Sequence, residues 1–153
     1  MDITPAQSDD HFSAARSLFE EYAGFLGIDL CFQNFQQELD GLPGQYAPPD
    51  GRLLLAVEGE QPVGCVALRN LGDGICEMKR LYVQPRQRGK SLGRRLAEAI
   101  IAEARAIGYT KVRLDSLRSL KEAAALYRSL GFTDIPPYRH NPLPDAVFME
   151  LEL

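Results

Sequence analysis

The sequence contains no tryptophan, two histidines and three cysteines among its 153 residues. His11 and His140 are too few for a histidine-rich metal centre and leave little material for a Ser-His-Asp triad, so we expect no metal. An odd number of cysteines without metal-type spacing indicates reduced thiols rather than a disulfide framework. The sequence also lacks an apolar run of membrane-spanning length and a basic-then-apolar leader. We therefore predict a cytoplasmic protein that does not associate with a membrane.

Acidic residues are absent between Lys79 and Ala97. Residues 1–78 contain 13 acids and 3 bases (net −10), whereas residues 79–153 contain 8 acids and 14 bases (net +6). This division predicts a basic site for a polyanionic cofactor. Two interpretations of the acidic half remain open: a surface for a cationic partner, or a surface that only keeps the protein soluble. A nucleic-acid site is disfavoured, because the total charge is −4 and Tyr82 is the one aromatic residue in the basic stretch.

The order of the predicted elements indicates one α/β domain over residues 1–153, whose 45% hydrophobic content suits a single core. Three strands separated by glycine-containing turns predict an antiparallel meander, and a following strand, helix and strand predict a parallel crossover. We divide the domain into a helical region (1–51), a central sheet with its helix (52–115) and a C-terminal part (116–153). The predicted strands are 2–5, 52–57, 63–71, 76–83, 111–115, 132–135 and 146–153. Four helices are predicted. The first begins at Ser8 or Asp9 and ends at Gly27, and the second spans Phe32–Leu39. The third spans Leu92–Ile107 with Gly108 as its C-terminal stop, and the last begins with a capping box at Ser119 and ends at Gly131.

The stretch from Cys76 to Ile107 combines a strand, a basic glycine turn and a helix. Apolar and aromatic residues from Cys76 to Val83 are typical of a strand, and Pro85 ends it because proline cannot donate to a sheet. The turn that follows carries glycines and several bases and leads directly into the helix. The first amides of a helix lack internal partners, and the macrodipole adds partial positive charge there. We therefore expect a phosphate-bearing ligand at this turn.

Two common phosphate motifs are missing, which narrows the identity of that ligand. Gly89-Lys90-Ser91 copies the end of a P-loop, but Gln84 stands where that motif needs its first glycine. The GxGxxG spacing of dinucleotide-binding folds is also absent. Residues Arg86–Ser91 instead resemble the Q/R-x-x-G-x-G/A loop of the GNAT acetyltransferases, with Ser91 in place of the last Gly or Ala and Gly93 shortly after it.

A second motif supports the same resemblance. Residues Ala123–Phe132 fit the A-x-x-L-Y-x-x-x-G-F pattern that ends the GNAT core. Both motifs occur in the expected order within residues 52–153, so the chain resembles a small stand-alone member of this superfamily. It departs from the family at Ser91 and at Leu120, where many members carry an asparagine.

The resemblance implies a fold and a co-substrate. The fold is a single-domain α/β GNAT fold, with a mixed, twisted, mostly antiparallel sheet of about six or seven strands and about four helices. Its fourth and fifth strands are parallel and splay apart, and acetyl-CoA lies in the gap. The pantetheine arm pairs with the fourth strand, the pyrophosphate binds the amides of the turn, and one N–H near Tyr82 polarises the acetyl carbonyl. The cofactor-binding residues so implied are Leu81, Tyr82, Val83, Arg86, Arg88, Gly89, Lys90, Ser91, Leu92, Gly93 and Arg94.

Tyr127 is the catalytic acid that the resemblance implies. It would lie near the thioester sulfur, where a phenol of pKa about 10 can hydrogen-bond the sulfur and return a proton to the departing thiolate. Its helical spacing from Leu126 and Leu130 also fits a core aromatic residue.

Glu77 is the implied general base. It lies six residues before Val83, the offset at which histone-acetylating members of the superfamily place their base. The alternative is a salt bridge with Lys79, Arg80 or another base. In a regular strand Glu77 shares a face with Lys79, Leu81 and Val83, whereas a bulge would shift that phase.

The implied reaction is direct transfer of an acetyl group from acetyl-CoA to a primary amine of a small molecule or peptide, in a ternary complex. Two other classes remain open: a module that binds acyl-CoA without turnover, and a nucleic-acid binder. A homodimer is a further expectation. Six residues are candidate acceptor contacts, although packing can also explain each: Tyr22, Phe32, Gln36, Tyr46, Tyr138 and Asn141.

Overall fold

A computed structural model describes residues 1–27 and 34–153 of the protein. The strands are β1 (Asp2–Pro5), β2 (Arg52–Glu58), β3 (Gln61–Gly72), β4 (Ile75–Val83), β5 (Lys111–Leu117), β6 (Thr133–Ile135) and β7 (Ala146–Glu152). The α-helices are α1 (Asp9–Leu26), α2 (Phe35–Asp40), α3 (Leu92–Ile107) and α4 (Lys121–Ser129). The strands form one seven-stranded sheet in the order β1-β2-β3-β4-β5-β7-β6. The predicted mixed α/β fold is confirmed.

Three of the predicted helix ends are stabilised by the residues that the sequence indicates. The Ser8 hydroxyl accepts a hydrogen bond from the His11 amide (3.2 Å) and caps α1. Gly27 ends α1 at φ 66°, and Gly108 ends α3 at φ 109°. Glycine suits both positions because it has no Cβ to clash in the left-handed region. The predicted start of the second helix, at Phe32, lies outside the described residues.

The predicted capping box at Ser119 is wrong. The last helix begins at Lys121, and no side chain caps it. The chain instead leaves β5 through a backbone turn in which the Leu120 amide donates to the Leu117 carbonyl (3.0 Å), while the Ser119 amide donates to Asp145 (3.3 Å). Because this turn already fixes the entry to the helix, the hydroxyl of Ser119 is not needed as a cap.

Strands β4 and β5 form a parallel pair in the sheet, and they diverge after a short paired stretch. Strands β1 to β4 form an antiparallel meander, as predicted. Strand β4 pairs with β5 in parallel over three residues, from Ile75 opposite Lys111 to Glu77 opposite Arg113. Beyond those residues both strands continue without pairing to each other, while β5 stays paired with β7 along its whole length. The divergence opens a wedge in the middle of the sheet.

A bulge in β4 decides which side chains face which side. Arg80 has φ 62°, and the pairing with β3 jumps from Lys79 opposite Ala67 to Tyr82 opposite Cys65. The extra residue changes the phase of the alternation. Leu81 therefore packs with the core on the α3 face, whereas Tyr82 packs with the core on the α1 face.

The two faces of the sheet are covered by separate apolar cores. Leu96 and Ile100 of α3 are fully buried against one face, and Leu18 and Phe19 of α1 are buried against the other. Burying each such side chain contributes about 1.5–3 kcal/mol, so the helices hold the sheet from both sides. Within the described residues, no helix combines the length and apolar character needed to cross a bilayer.

Candidate active site

The wedge between β4 and β5 forms a cleft, here called the β4–β5 cleft. Its outer part has a volume of about 320 Å³ and includes Val83, Arg88 and the start of α4. Its inner part has a volume of about 50 Å³ and lies where the strands diverge, beside Met78 and Leu114. Both parts share the residues Tyr22, Leu81, Asp115, Ser116, Leu120 and Tyr127.

Tyr127, a residue of α4, brings a phenol hydroxyl to the wall of this cleft. The residue is 8% exposed, and its ring packs edge-on against Phe132 with the ring centroids 5.8 Å apart. Its hydroxyl makes no hydrogen bond within the described residues. Burial raises the pKa of Tyr127, so the phenol keeps its proton at neutral pH. The arrangement provides a proton donor in a largely desolvated site.

The outer end of the cleft leads to the glycine turn before α3. Gly89 and Ser91 both adopt positive φ, 81° and 59°. The Arg95 amide is the first in α3 that bonds back, to the Ser91 carbonyl (3.1 Å). The preceding amides of the helix, from Leu92 to Arg94, have no intrahelical acceptor. Three bases flank them, and the turn is exposed at Arg86, Arg88 and Lys90. Such an arrangement can hold an anion, and this turn is here called the anion site.

Ser91 caps α3 by its backbone and not by its side chain. It stands at the first position before the helix in the left-handed conformation, and its hydroxyl makes no capping bond. An L-residue costs about 1–2 kcal/mol in this conformation, and a glycine avoids that cost.

Arg88 lies across the outer part of the cleft. Its Nε donates to the Val83 carbonyl (3.1 Å), and its guanidinium stacks over the Phe25 ring at 4.3 Å from the centroid. Arg94, in the first turn of α3, donates instead to the Ser129 hydroxyl of α4. These contacts connect the anion site to both walls of the cleft.

Glu77 is fully buried and lies in neither part of the cleft. Its carboxylate accepts from Arg69 Nε (2.8 Å) and Arg139 Nη1 (3.2 Å), and also from the Tyr138 hydroxyl. Lys79 Nζ lies 3.9 Å away. The predicted salt-bridge alternative is thus present, with Arg69 and Arg139 as the main partners. Burial and the neighbouring Glu77 carboxylate raise the pKa of Tyr138, which keeps that phenol a donor.

A second cavity, here called the acceptor-side cavity, lies on the other side of Lys79. It has a volume of about 370 Å³. Its wall combines the segment Gly41–Tyr46 with charged and polar side chains from β3, β4 and the loop before β7. Those side chains are Arg69, Lys79, Arg139 and His140, and Asn34, Gln37 and Glu38 at α2 complete the wall. Lys79 lines both this cavity and the inner part of the cleft, so it forms part of the wall between them.

Comparison with known proteins places this architecture in a family. The model of the acetyltransferase (GNAT) family matches residues 11–132. The chain belongs to the GNAT family. An uncharacterised N-acetyltransferase of Schizosaccharomyces pombe is 44% identical over 140 residues, which cover 90% of this chain and 86% of that protein. Family and relatives make this chain an N-acetyltransferase, with acetyl transfer as its general activity.

Solved structures of GNAT proteins share the fold over the whole chain. An acetyltransferase from Streptococcus agalactiae superposes with a TM-score of 0.83 at 23% identity, covering 99% of this chain and 98% of that one. An aminoglycoside 6'-N-acetyltransferase complexed with coenzyme A gives a TM-score of 0.74 at 15% identity, covering 99% of this chain and 97% of that one.

The candidate acceptor contacts fall into different parts of this GNAT domain. Tyr22 and Asn141 line the β4–β5 cleft, where burial raises the pKa of Tyr22 to about 12. Tyr46 is buried in the wall of the acceptor-side cavity. Gln36 is exposed and donates to Asp40 of its own helix (3.0 Å), and Tyr138 lines neither cavity. Phe32 lies outside the described residues.

Several site residues escaped the sequence analysis. Asp115 lines the cleft, where it pairs with Arg139 (2.8 Å) and accepts from Asn141 (3.2 Å). Its position at the carboxyl end of a parallel strand is a signal that could have found it, because such ends collect functional side chains. Arg69 and Arg139 come from β3 and from an irregular loop, and no local pattern marks them as neighbours.

Proposed function

We propose that the protein transfers an acetyl group from acetyl-CoA to a primary amine by direct attack in a ternary complex. The observation that carries this proposal is the continuous path from the anion site, through the β4–β5 cleft, to Tyr127. Coenzyme A needs such a path, since it has a pyrophosphate at one place and a thioester at the far end of an extended arm. A neighbour with the same fold was solved with coenzyme A.

The residues around the cleft suit the parts of that cofactor. The unpaired edge of β4 from Leu81 to Val83 offers backbone groups to the amides of the pantetheine arm, as in the addition of a strand. The amides from Gly89 to Arg94 and the surrounding bases suit the pyrophosphate. Arg88 would then release the Val83 carbonyl to the arm and turn towards the phosphates.

The reaction replaces the thioester bond of acetyl-CoA by an amide bond to the acceptor. The amine nitrogen forms a bond to the acetyl carbon, and the bond from that carbon to the sulfur breaks. A backbone N–H near Tyr82 stabilises the oxyanion. The amine loses a proton to a base, and Tyr127 donates a proton to the departing thiolate.

Glu77 is the base in this proposal, acting through an intermediary. The carboxylate lies behind Lys79, whose Nζ is 3.9 Å away and borders both cavities. Burial lowers the pKa of Lys79 to about 7, so its amine can take up and release protons near neutral pH. This geometry favours a relay through Lys79 or a water over direct contact of Glu77 with the substrate.

The test is a thiol-release screen with acetyl-CoA across amino acids, polyamines, aminoglycosides and peptide N-termini, followed by mass identification of the product. We expect thiol release that depends on one class of amine. Saturable retention of coenzyme A without release in any class would support the alternative of a non-catalytic acyl-CoA-binding module. Absence of saturable acetyl-CoA binding would refute both.

A further inference from the structure

The acceptor-side cavity has the size of a small-molecule site. Its volume of about 370 Å³ lies near the lower end of the range for ligand pockets, which is about 300–1,000 Å³. It borders the inner part of the cleft at Lys79 and shares no lining residue with the outer part, which contains Arg88. A ligand there would reach the thioester from the side opposite to the cofactor.

The cations and the carboxylates near this cavity occupy different positions. Three basic side chains, Arg69, Lys79 and Arg139, surround two carboxylates, Glu77 and Asp115. The sum is one excess positive charge when Lys79 is protonated and zero when it is neutral. The carboxylates lie behind the cations: neither Glu77 nor Asp115 lines the cavity, whereas all three cations do. A ligand in the cavity therefore meets the positive side of the cluster.

Glu38, an acid that does line the cavity, is already neutralised. Glu38 receives two hydrogen bonds from Arg80, at 2.8 Å from Nε and 2.9 Å from Nη2. Such a bidentate pair holds the carboxylate and leaves little attraction for a second cation. The acids of this half of the chain thus do not make the cavity a site for a polycation.

Arg69 has donors left for a ligand. Its Nε donates to Glu77 (2.8 Å) and its Nη1 to Gln45 (2.9 Å), while its Nη2 makes no hydrogen bond within the described residues. The side chain is 21% exposed. Its guanidinium is fixed in place by a buried carboxylate, so binding an anion would cost little side-chain entropy.

We propose that the acceptor is a small amine that also carries a carboxylate, as a free amino acid does. The carboxylate binds in the acceptor-side cavity against Arg69 and Arg139, and the amine passes Lys79 into the inner part of the cleft. This inference rests on the proposed acetyl transfer and names the substrate class of the same site. It disfavours polyamines, whose charges would face the three cations.

The test compares matched acceptors that differ in the carboxylate alone. Each of the common amino acids is assayed by thiol release in three forms: the free acid, its carboxamide and the decarboxylated amine. A charge-assisted pair with a guanidinium predicts that kcat/KM for the best free acid exceeds that for its carboxamide by about tenfold to a hundredfold. Equal or higher values for the carboxamide or the amine would overturn the inference and leave the acetyl transfer intact.

Variants of Arg69 and Arg139 test whether these residues cause the preference for the free acid over its carboxamide. Arg69→Lys and Arg139→Lys keep the charge that Glu77 requires but lose the planar donor pair, so the acid-to-carboxamide ratio should fall several-fold towards one. Arg113→Lys is the matched control, since Arg113 makes a similar ion pair with Glu150 (2.8 Å) and lines neither cavity. An unchanged ratio in both cavity variants would contradict the proposal.

A measurement on the unaltered protein covers the case in which those variants fail to fold. Short dicarboxylates without an amine should inhibit competitively against the acceptor and not against acetyl-CoA, whereas diamines of the same length should not compete. Competition by diamines and none by dicarboxylates would overturn the inference. Failure of every amine to release thiol would instead refute the proposed function itself.

Discussion

Replacing Tyr127 by phenylalanine removes one oxygen atom from the β4–β5 cleft and nothing else. The ring keeps its edge-on contact with Phe132. The hydroxyl makes no hydrogen bond within the described residues, so the substitution breaks no bond that holds the fold. The free energy of unfolding should therefore change little.

The effect on turnover should be large by comparison. If Tyr127 protonates the thiolate, its loss should lower kcat by about 10²–10⁴-fold, the usual contribution of a general acid. This corresponds to about 3–5 kcal/mol of transition-state stabilisation at about 1.4 kcal/mol per factor of ten. The affinity for acetyl-CoA should change little, because most of the contacts proposed for the cofactor involve the anion site and β4. The two observables therefore separate catalysis from binding.

The assay combines three measurements on Tyr127→Phe: single-turnover thiol release, acetyl-CoA titration and thermal unfolding. Tyr109→Phe is the matched control, since the Tyr109 hydroxyl donates to the Asp50 carbonyl (2.7 Å) away from the cleft. The control should lose about 1 kcal/mol of stability and keep its turnover. If Tyr127→Phe keeps full turnover, Tyr127 is a packing residue and the proposed acid is wrong. Loss of stability without loss of turnover would lead to the same conclusion.

Four further substitutions test separate features. Glu77→Gln leaves three cationic side chains without their buried carboxylate, so we expect a loss of about 3–5 kcal/mol in unfolding free energy. If the variant protein that still folds has an unchanged pH–rate profile, Glu77 is not part of the mechanism. Lys79→Met should remove a pH dependence of the unfolding free energy. The pKa of Lys79 is about 7 in the native state and higher in the unfolded chain, so above pH 7 the unfolded state binds the extra proton. The wild-type unfolding free energy should therefore rise with pH above about 7, by at most about 1.4 kcal/mol per pH unit. Parallel unfolding curves for both proteins from pH 7 to 10 would contradict this. Gly51→Ala would place a Cβ 2.5 Å from the Gln45 carbonyl, and should cost about 1–3 kcal/mol and raise the KM for the acceptor, measured by unfolding and steady-state kinetics. Ser91→Gly removes the cost of holding a residue with a Cβ at positive φ, so it should raise the unfolding free energy by up to about 1 kcal/mol. Acetyl-CoA binding, measured by titration, should not weaken. Weaker binding would indicate that the Ser91 hydroxyl itself contacts the cofactor.

The parts of the fold that the sequence could predict are those governed by local patterns. Apolar alternation, glycine turns and helix caps fixed the element order, and all seven strands appear near their expected bounds. The parallel crossover followed from a strand, a helix and a strand in succession. The error at Ser119 has a local cause too, since a backbone turn competes with a side-chain cap when the helix starts directly after a strand.

The site was less predictable because it depends on contacts between distant parts of the chain. The face on which Glu77 lies depends on whether β4 is regular, and the bulge at Arg80 could not be read from its neighbours in sequence. The cluster around Glu77 joins β3 and β4 to a loop more than sixty residues away. Arg139 stands among prolines, where no periodicity indicates its direction. Such ion pairs are decided by the tertiary fold.

The divergence of β4 and β5 is what connects this fold to its chemistry. Buried backbone groups need partners, yet β4 beyond Glu77 and β5 beyond Arg113 face each other without pairing. Their outer edges are satisfied by β3 and β7, so the open edges can be completed only from within the cleft. Arg88 supplies one such partner at the Val83 carbonyl. An extended ligand with its own amide groups could supply the rest, and this favours the proposed pantetheine arm over a compact nucleotide.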